Sequence, residues 1–269
     1  MNTSASCKQL NEGIVSAKKE NVNNTLVKIL GWNATVLHGD PSSFDRWIWL
    51  KRHLLPGPLR TLDAGSGSGA YTMYAAKIGN QALGISSDER NNQVAQMRAD
   101  MLGLDSAKFI TADLRNLDHD PSKLGTFDQI ICLETIEHIL NDKKLMKDLA
   151  SLLKAGGRLL LTAPYKNHKP LLYEQLSSSE DGGHVRWGYA HEEIRELFTN
   201  CGLEVIREEY VSGFVTQKLM DLMRILSRVH EKLAWAIIFP LRALLVIDKP
   251  LTDLIGYPYL SIGVVGIKR

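Results

Sequence analysis

The sequence predicts an α/β fold: a doubly wound, seven-stranded, mostly parallel sheet, with a helical N-terminal arm and a helical insertion before the last strand. Three observations predict it. Short apolar runs alternate with amphipathic runs of about ten residues, as strands joined by crossover helices do. A glycine-rich turn, LDAGSGSGA at 62–70, joins the first apolar run to the first amphipathic one. The last two apolar runs are separated by residues 212–256, which read as helical, so those two strands can pair directly as neighbours.

Residues 1–20 are polar and irregular and read as a weakly docked arm. From Thr25 to about Leu55 the pattern is helical. Ser42 followed by Asp45 resembles a capping box, and Trp47, Leu50 and Leu54 recur at helical spacing. Pro56-Gly57-Pro58 ends this segment and divides an arm, 1–57, from a main domain, 58–269. RTLDAG (60–65) is the first strand, running into the glycine turn. AYTMYAAKIG (70–79) is a helix closed by Gly79. QALGIS (81–86) is the second strand, and a helix follows over 87–103 with Ser87 or Asp88 as its N-cap. KFITAD (108–113) is the third strand. FDQIICLE (127–134) is the fourth, nearly all apolar, as a strand covered on both faces should be. A helix through LMKDLASLLKAGG (145–157) is read as ending at Gly156-Gly157. RLLLTAP (158–164), LEVIREEYV (203–211) and LSIGVVGIK (260–268) are the remaining strands, with a helix over 191–202 stopped by Gly202.

The chain has 269 residues, 44% hydrophobic and 23% charged, which excludes a disordered or collagen-like protein. Its 32 basic and 30 acidic side chains leave +2, so no overall field draws it onto nucleic acid, and none is expected as a partner. Cys7, Cys132 and Cys201 are too widely spaced for a disulfide framework or a zinc site. The polar first residues lack the apolar core of a secretory signal, so a reducing, cytoplasmic setting is expected.

The glycine turn is the most informative stretch. Gly65, Gly67 and Gly69 follow a strand and open a helix, so backbone can approach a ligand at the strand's carboxyl end. Two ligand classes compete. Gly65, Gly67 and Ala70 fit the G-x-G-x-x-A fingerprint of a dinucleotide site. Asp63, however, puts a carboxylate into the same crevice, where it repels a pyrophosphate and attracts an ammonium or sulfonium. A nicotinamide site also wants an acid about 20 residues past the first glycine, where Ser86 and Ser87 stand. S-adenosylmethionine carries both cations.

Four motifs in order resemble the class I S-adenosylmethionine-dependent methyltransferases of the small-molecule type. They are LDAGSGSG, TADLRNLD (111–118), FDQIICLETIEHI (127–139) and LLKAGGRLLLTAP (152–164). The resemblance covers about residues 58–210 and the last strand. It implies the Rossmann-like methyltransferase fold, with S-adenosylmethionine as donor and S-adenosylhomocysteine as product. It also implies that the turn at Gly65, Ser66, Gly67 and Gly69, with Asp63, holds the methionine end. Asp113 and the amide of Leu114 would bond the adenine, and Leu133 and Glu134 would border the methionine moiety. One position departs from the family pattern. The acid that usually takes both ribose hydroxyls is replaced by Ser86, with Ser87 and Asp88 behind it. Either Ser86 holds one hydroxyl or Asp88 curls back; Ser86 is the expected ligand.

Candidates for the chemistry follow the fourth and fifth strands. In ETIEHI, Glu134, Glu137 and His138 would share one face of a helix. This resembles the E-x-x-E-H element of quinone-type O-methyltransferases, some of which hold a divalent metal with it. The residue types suit Mg²⁺, Mn²⁺ or Zn²⁺. Related methyltransferases carry similar letters without a metal, and no resident metal is expected here. His138 is expected to line the acceptor pocket as base or hydrogen-bond partner. In EDGGHVRWGYAHEEI (180–194), His184 is a second candidate base. Arg186 is a candidate for binding a carboxylate or phosphate on the acceptor, unless it salt-bridges a loop acid. Trp187 and Tyr189 would add aromatic walls. His38 and Asp40 are weaker candidates to face the site.

In the insertion, Leu219, Leu222, Met223, Leu226 and Val229 form an apolar stripe, while Arg224, Arg228 and Lys232 recur on another face. LAWAIIFPLRALLVI (233–247) is broken by Pro240 and Arg242 and is too short to span a bilayer. Residues 213–247 are expected to form a lid or dimer surface, or else an apolar acceptor channel or membrane-surface contact that would make the protein peripheral to a membrane. The function expected is methyl transfer to a small, lipophilic natural-product or lipid-like acceptor, at oxygen. A carbon-methylating enzyme acting on a quinone or polyene is the nearest alternative. A nicotinamide oxidoreductase and a non-catalytic cofactor-binding subunit are the alternatives of other classes.

Overall fold

The computed structural model describes residues 25–37, 39–119, 124–171 and 175–269. His38 and the 1–20 arm lie outside the described residues. After a helical stretch over 25–30, α1 spans Asn33–Leu37 and α2 spans Pro41–His53. The alternating part follows as β1 (Arg60–Ala64), α3 (Ala70–Lys77), β2 (Gln81–Ser86), α4 (Glu89–Met101), β3 (Ala107–Thr111) and β4 (Phe127–Leu133). Then come α5 (Asp142–Leu152), β5 (Leu153–Pro164), α6 (His191–Asn200) and β6 (Leu203–Val211). The insertion holds α7 (Phe214–Ser227), α8 (Glu231–Leu241), a 3-10 stretch Arg242–Ile247 and α9 (Asp248–Ile255), and β7 (Ser261–Lys268) completes the sheet.

The sheet order is β3-β2-β1-β4-β5-β7-β6, and β7 runs antiparallel to both neighbours. Sequential β1, β2 and β3 step to one side and β4 and β5 to the other, so the order reverses between β1 and β4. That reversal opens a crevice at the carboxyl ends of the strands, where ligands bind in such sheets. The core lies on both faces. Leu62, Ile130, Leu159 and Val264 are buried on one face with α5 and α6, and Ile131, Leu160 and Val265 on the other with α2 and α3. β7 seats a helix on each face through its glycines: a side chain at Gly263 would meet the Trp49 ring of α2 at 2.6 Å, and one at Gly266 would collide with Phe198 of α6.

Two boundaries differ from the sequence reading. The cap of α2 is Asp40, not Ser42: its carboxylate accepts the Ser43 amide at 2.9 Å, and Pro41 takes the first helical position, where no amide hydrogen is needed. The helix after β4 runs from Asp142 to Leu152, and Gly156-Gly157 belongs to β5. There the pairing with β4 jumps from Phe127↔Leu153 to Gln129↔Arg158, and Gly156 takes a φ of +75°, so the glycines absorb a strand irregularity.

Within the insertion, one buried carboxylate ties α9 to the start of α7. Asp248, at the start of α9, accepts the amides of Gly213 and Val215, each at 2.7 Å, and the Thr216 hydroxyl at 2.7 Å. It therefore caps α7 from another helix. The same hydroxyl lies 2.6 Å from Asp45 of α2. Burial pushes the Asp45 carboxyl up to about 6, against the lowering effect of the Thr216 hydroxyl.

Candidate active site

β1 ends in the glycine turn. Gly65 takes a φ of +88° and its missing side chain leaves room for Thr135, which follows β4. Gly67, at a φ of +50°, faces open space, so backbone there is accessible to a ligand. Gly69 is the left-handed cap of α3 and is pressed by Phe109 and Ala95. Below the turn, Asp63 is buried and accepts the Thr72 hydroxyl at 2.6 Å. Burial raises its carboxyl to about 6, against the lowering effect of Thr72. Ser66 Oγ is buried with no hydrogen-bond partner. An orphaned hydroxyl, a buried carboxylate and open space above Gly67 fit a polar, cationic ligand end such as the methionine part of S-adenosylmethionine.

The ends of β2 and β3 are pinned together by Asn92 of α4, whose side-chain amide donates to the carbonyls of Ser86 and Ile110. Ser86 is buried at the end of β2 and accepts the Asp88 amide at 3.2 Å. Asp88 does not curl back: its carboxylate caps α4 by accepting the amides of Arg90 and Asn91. Ser87 is exposed. Asp113 stands beyond β3 with its carboxylate gripped by Arg115, at 2.6 to 2.9 Å, and that contact holds it below the usual carboxylate range. Leu114 and Leu133 are buried in the walls beneath this edge.

Past β4 the chain turns sharply. Glu134 holds a φ of +47°, and Ile136–His138 forms a single 3-10 turn. The expected helical face of Glu134, Glu137 and His138 is therefore absent. Glu137 is fully buried, both carboxylate oxygens lacking a partner from another residue. Burial, then the neighbouring Glu134 carboxylate, hold its carboxyl well above the usual range. His138 Nδ1 faces the Gly183 carbonyl at 3.1 Å. A carbonyl only accepts, so Nδ1 carries the hydrogen and Nε2 keeps its lone pair. Nε2 lies 3.9 Å from Glu137 Oε1, and the His184 ring stands edge-on to His138 with centroids 4.7 Å apart.

These groups line a cavity of about 280 Å³. Glu134, Glu137 and His138 line it together with Pro164 at the end of β5 and His168, His184 and Trp187 from the segment after that strand. Asp40, Ser42 and Arg46 of α2 make one wall, and Gln217, Met220, Asp221 and Arg224 of α7 the opposite one. Burial opposes ionisation of Asp40, but Arg46 and the Ser42 and Ser43 contacts outweigh it and lower its pKa. Burial also opposes charge on Arg46, yet Tyr71, Asp40, Glu134 and Glu137 hold it charged.

The structure corrects the expectation for Arg186. Its guanidinium donates to Asp142, to the Tyr189 hydroxyl, and at 2.9 Å to the carbonyls of Ile139 and Leu140. It clamps the loop onto the start of α5 and does not line the cavity. Tyr189 is buried in the same clamp rather than in the cavity wall. For a cation, the donor set also changes. Glu137, His138 and His184, not Glu134, each offer a ligand atom within 4.8 Å of the others, and a buried carboxylate with two imidazoles suits Mn²⁺ or Zn²⁺.

Sequence reasoning did not find Arg46, His168, Gln217 or Asp221. No local pattern marks them, since α2 and α7 meet across the whole length of the sheet domain.

The profile of the methyltransferase domain family matches residues 44–208, more than half of the chain. A ubiquinone biosynthesis O-methyltransferase of Marinobacter nauticus is 30% identical over 117 residues, 42% of this chain and 48% of that protein. One from Xanthomonas axonopodis pv. citri is 26% identical over 203 residues, 71% of this chain and 81% of that protein. The chain spans about half the length of the first curated relatives it matches. Among solved structures, the 4+2 cyclase SpnF is similar with a TM-score of 0.60 at 17% identity, covering 93% of this chain and 96% of that one. Magnesium protoporphyrin IX methyltransferase from Synechocystis PCC 6803, with bound S-adenosylhomocysteine, gives 0.52 at 17%, covering 93% and 99%. At such identities the likeness is one of fold. Motif order, sheet order and family profile agree: the chain belongs to the methyltransferase domain family, as a class I, S-adenosylmethionine-dependent member.

Proposed function

We propose that this protein methylates a hydroxyl oxygen of a small, lipophilic acceptor, with His138 as general base. The observation that carries the reading is the orientation of His138, whose Nδ1 is held by the Gly183 carbonyl so that Nε2 is left as the acceptor beside a cavity that Glu134 also lines. The names of the relatives, O-methyltransferases of ubiquinone biosynthesis, support oxygen as the methylated atom.

When bound, S-adenosylmethionine supplies an activated methyl group on a sulfonium. The protein's share is positioning, exclusion of water and removal of one proton. Asp63, Ser66 and the backbone at Gly65, Gly67 and Gly69 would hold the methionine end. Ser86 would hold a ribose hydroxyl and Asp113 with Leu114 the adenine. The acceptor hydroxyl, placed against His138, gives its proton to Nε2 as its oxygen takes the methyl in line. Gly183 keeps the ring oriented. His184 borders the same spot as an edge-on neighbour.

The test is methyl transfer from labelled donor to a panel of phenols and catechols with apolar substituents, and to the matching methyl ethers, with and without EDTA. Activity on hydroxylated members alone, surviving EDTA, is the expected result. Transfer to ring carbon of the ethers would overturn it. A metal at Glu137, His138 and His184 would occupy the lone pair that the base needs, so loss of activity in EDTA, restored by Mn²⁺ or Zn²⁺, would replace the base by a metal.

The donor site makes a separate prediction. Asp63 loses its charge as pH falls through about 6, and with it the attraction for the ligand's ammonium. Affinity for S-adenosylhomocysteine is expected to fall from pH 8 to pH 5. Asp63→Asn should bind about tenfold or more weakly at pH 8 and lose this part of the pH dependence. Titration calorimetry checks both. Wild-type-like affinity in the variant would remove Asp63 from the site.

A further inference from the structure

The insertion carries an apolar surface that the sheet domain does not cover. α8 buries Ala234 and Ile238, and Ile238 joins a small cluster with Val215 and Leu219 of α7. Its other side is apolar too. Leu233, Ile237, Pro240 and Leu244 fall on one outward stripe, at the spacing of successive helical turns, and all are exposed. Beyond its ends stand Val229, 82% exposed, and Val246, 83% exposed. A helix that is apolar on both sides needs a second apolar medium.

The charges around this stripe select the medium. Along α7 to α9 the exposed charged groups are Arg224, Arg228, Lys232 and Lys249 against Glu231 and Asp253, and Asp253 pairs with Lys249 at 3.1 Å. The remaining acids, Asp221 and Asp248, are buried. At the corner from α7 to α8 the sequence RVHEKL interleaves Arg228 and Lys232 with Val229 and Leu233. Such a mixture suits an anionic lipid surface. Lysine and arginine stems lie along the acyl boundary while their heads reach phosphate, and apolar tips sink between lipids. The core of a protein interface, by contrast, is depleted of lysine. No helix among the described residues is long and apolar enough to cross a membrane.

We propose that the face built by α8 and the adjoining ends of α7 and the Arg242–Ile247 stretch docks the protein on an anionic bilayer surface. α7 is shared: its Met220 and Arg224 line the cavity while its far end meets the lipid. The docked enzyme therefore holds the acceptor cavity beside the bilayer, where a lipophilic acceptor resides. That last step rests on the acceptor proposed above; the docking itself does not.

The experiment is flotation of the full chain with vesicles, in the absence of any acceptor. Vesicles of equal parts phosphatidylcholine and phosphatidylglycerol are compared with phosphatidylcholine alone. The wild type is expected to float with the anionic vesicles, less so in high salt, and not with the neutral ones. The double variant Val229→Glu/Val246→Glu should float about tenfold less or worse, and Arg228→Glu/Lys232→Glu should lose the preference for anionic lipid. All four side chains are exposed and lie outside the cavity lining, so thermal unfolding and binding of S-adenosylhomocysteine should be unchanged. Absence of flotation with anionic vesicles overturns the proposal. So does a dimer in light scattering that Val229→Glu/Val246→Glu dissociates, since the face would then belong to a second copy. Because no acceptor is present, failure here leaves the acceptor chemistry standing.

Discussion

Replacing His138 by alanine is expected to cut turnover by about a hundredfold or more and to leave affinity for S-adenosylhomocysteine unchanged. The separation follows from geometry. His138 lines the cavity between α2 and α7, whose lining includes neither Asp63 of β1 nor any residue of the glycine turn. Truncating the ring removes the Nε2 lone pair and frees the Gly183 carbonyl, but touches nothing at the donor turn. A purely structural role would lower turnover equally for every acceptor. A base predicts a graded loss: a more acidic phenol, already ionised, needs no base and should be methylated by the variant nearly as well as by the wild type. Equal loss across phenols of rising acidity would show that His138 positions rather than deprotonates, and unchanged turnover would remove it from the reaction.

Asp248→Ala is expected to have the largest effect on stability. Its carboxylate accepts the amides of Gly213 and Val215, the longer Thr216 amide contact at 3.4 Å, and the Thr216 hydroxyl, all buried. These are the first donors of α7, which has no side-chain cap of its own. Each buried donor left without a partner costs roughly 1–3 kcal/mol, so the loss is on the order of 3 kcal/mol or more. The favourable placement of a negative charge at a helix N-terminus is lost as well. Asp248→Asn keeps one acceptor oxygen and should recover part of the loss. Thermal unfolding with limited proteolysis distinguishes local from global damage: cleavage within 212–256 should precede loss of the sheet. An unchanged melting temperature in Asp248→Ala would mean that water, not this carboxylate, satisfies the end of α7.

The inner strands of the sheet were legible because they are covered on both faces, whereas β6 is an edge strand with much of its length exposed. QALGIS and LEVIREEYV are bounded in the structure as in the sequence. The glycine turn was legible for a related reason: three glycines between a strand and a helix have few uses, and the left-handed backbone at Gly65, Gly67 and Gly69 is what that spacing supplies. ETIEHI misled because Glu134, Glu137 and His138 stand at a helical interval, while the backbone makes only one tight turn. Gly156-Gly157 imitated a helix stop because a strand irregularity and a helix end both call for a positive φ. Arg186 read as a ligand because a guanidinium in an acceptor loop looks the same whether it meets a substrate or Asp142. The two walls of the cavity were beyond reach. Thr216 and Asp45, which tie them together, are 171 residues apart, and no periodicity reports such a pairing.

The position of β7 bears on how the chain is made. A growing polypeptide emerges amino end first, yet β7 is the last strand of the sheet to appear and must slot between β5 and β6. Until it clears the ribosome, those strands carry open hydrogen-bonding edges, and Trp49, translated long before it, has no Gly263 to rest on. Vectorial folding therefore stalls with a divided sheet, and completion waits for residues 261–268. A nascent chain arrested before that point should be protease-sensitive and chaperone-bound, and its extension past β7 should close the sheet in one cooperative event.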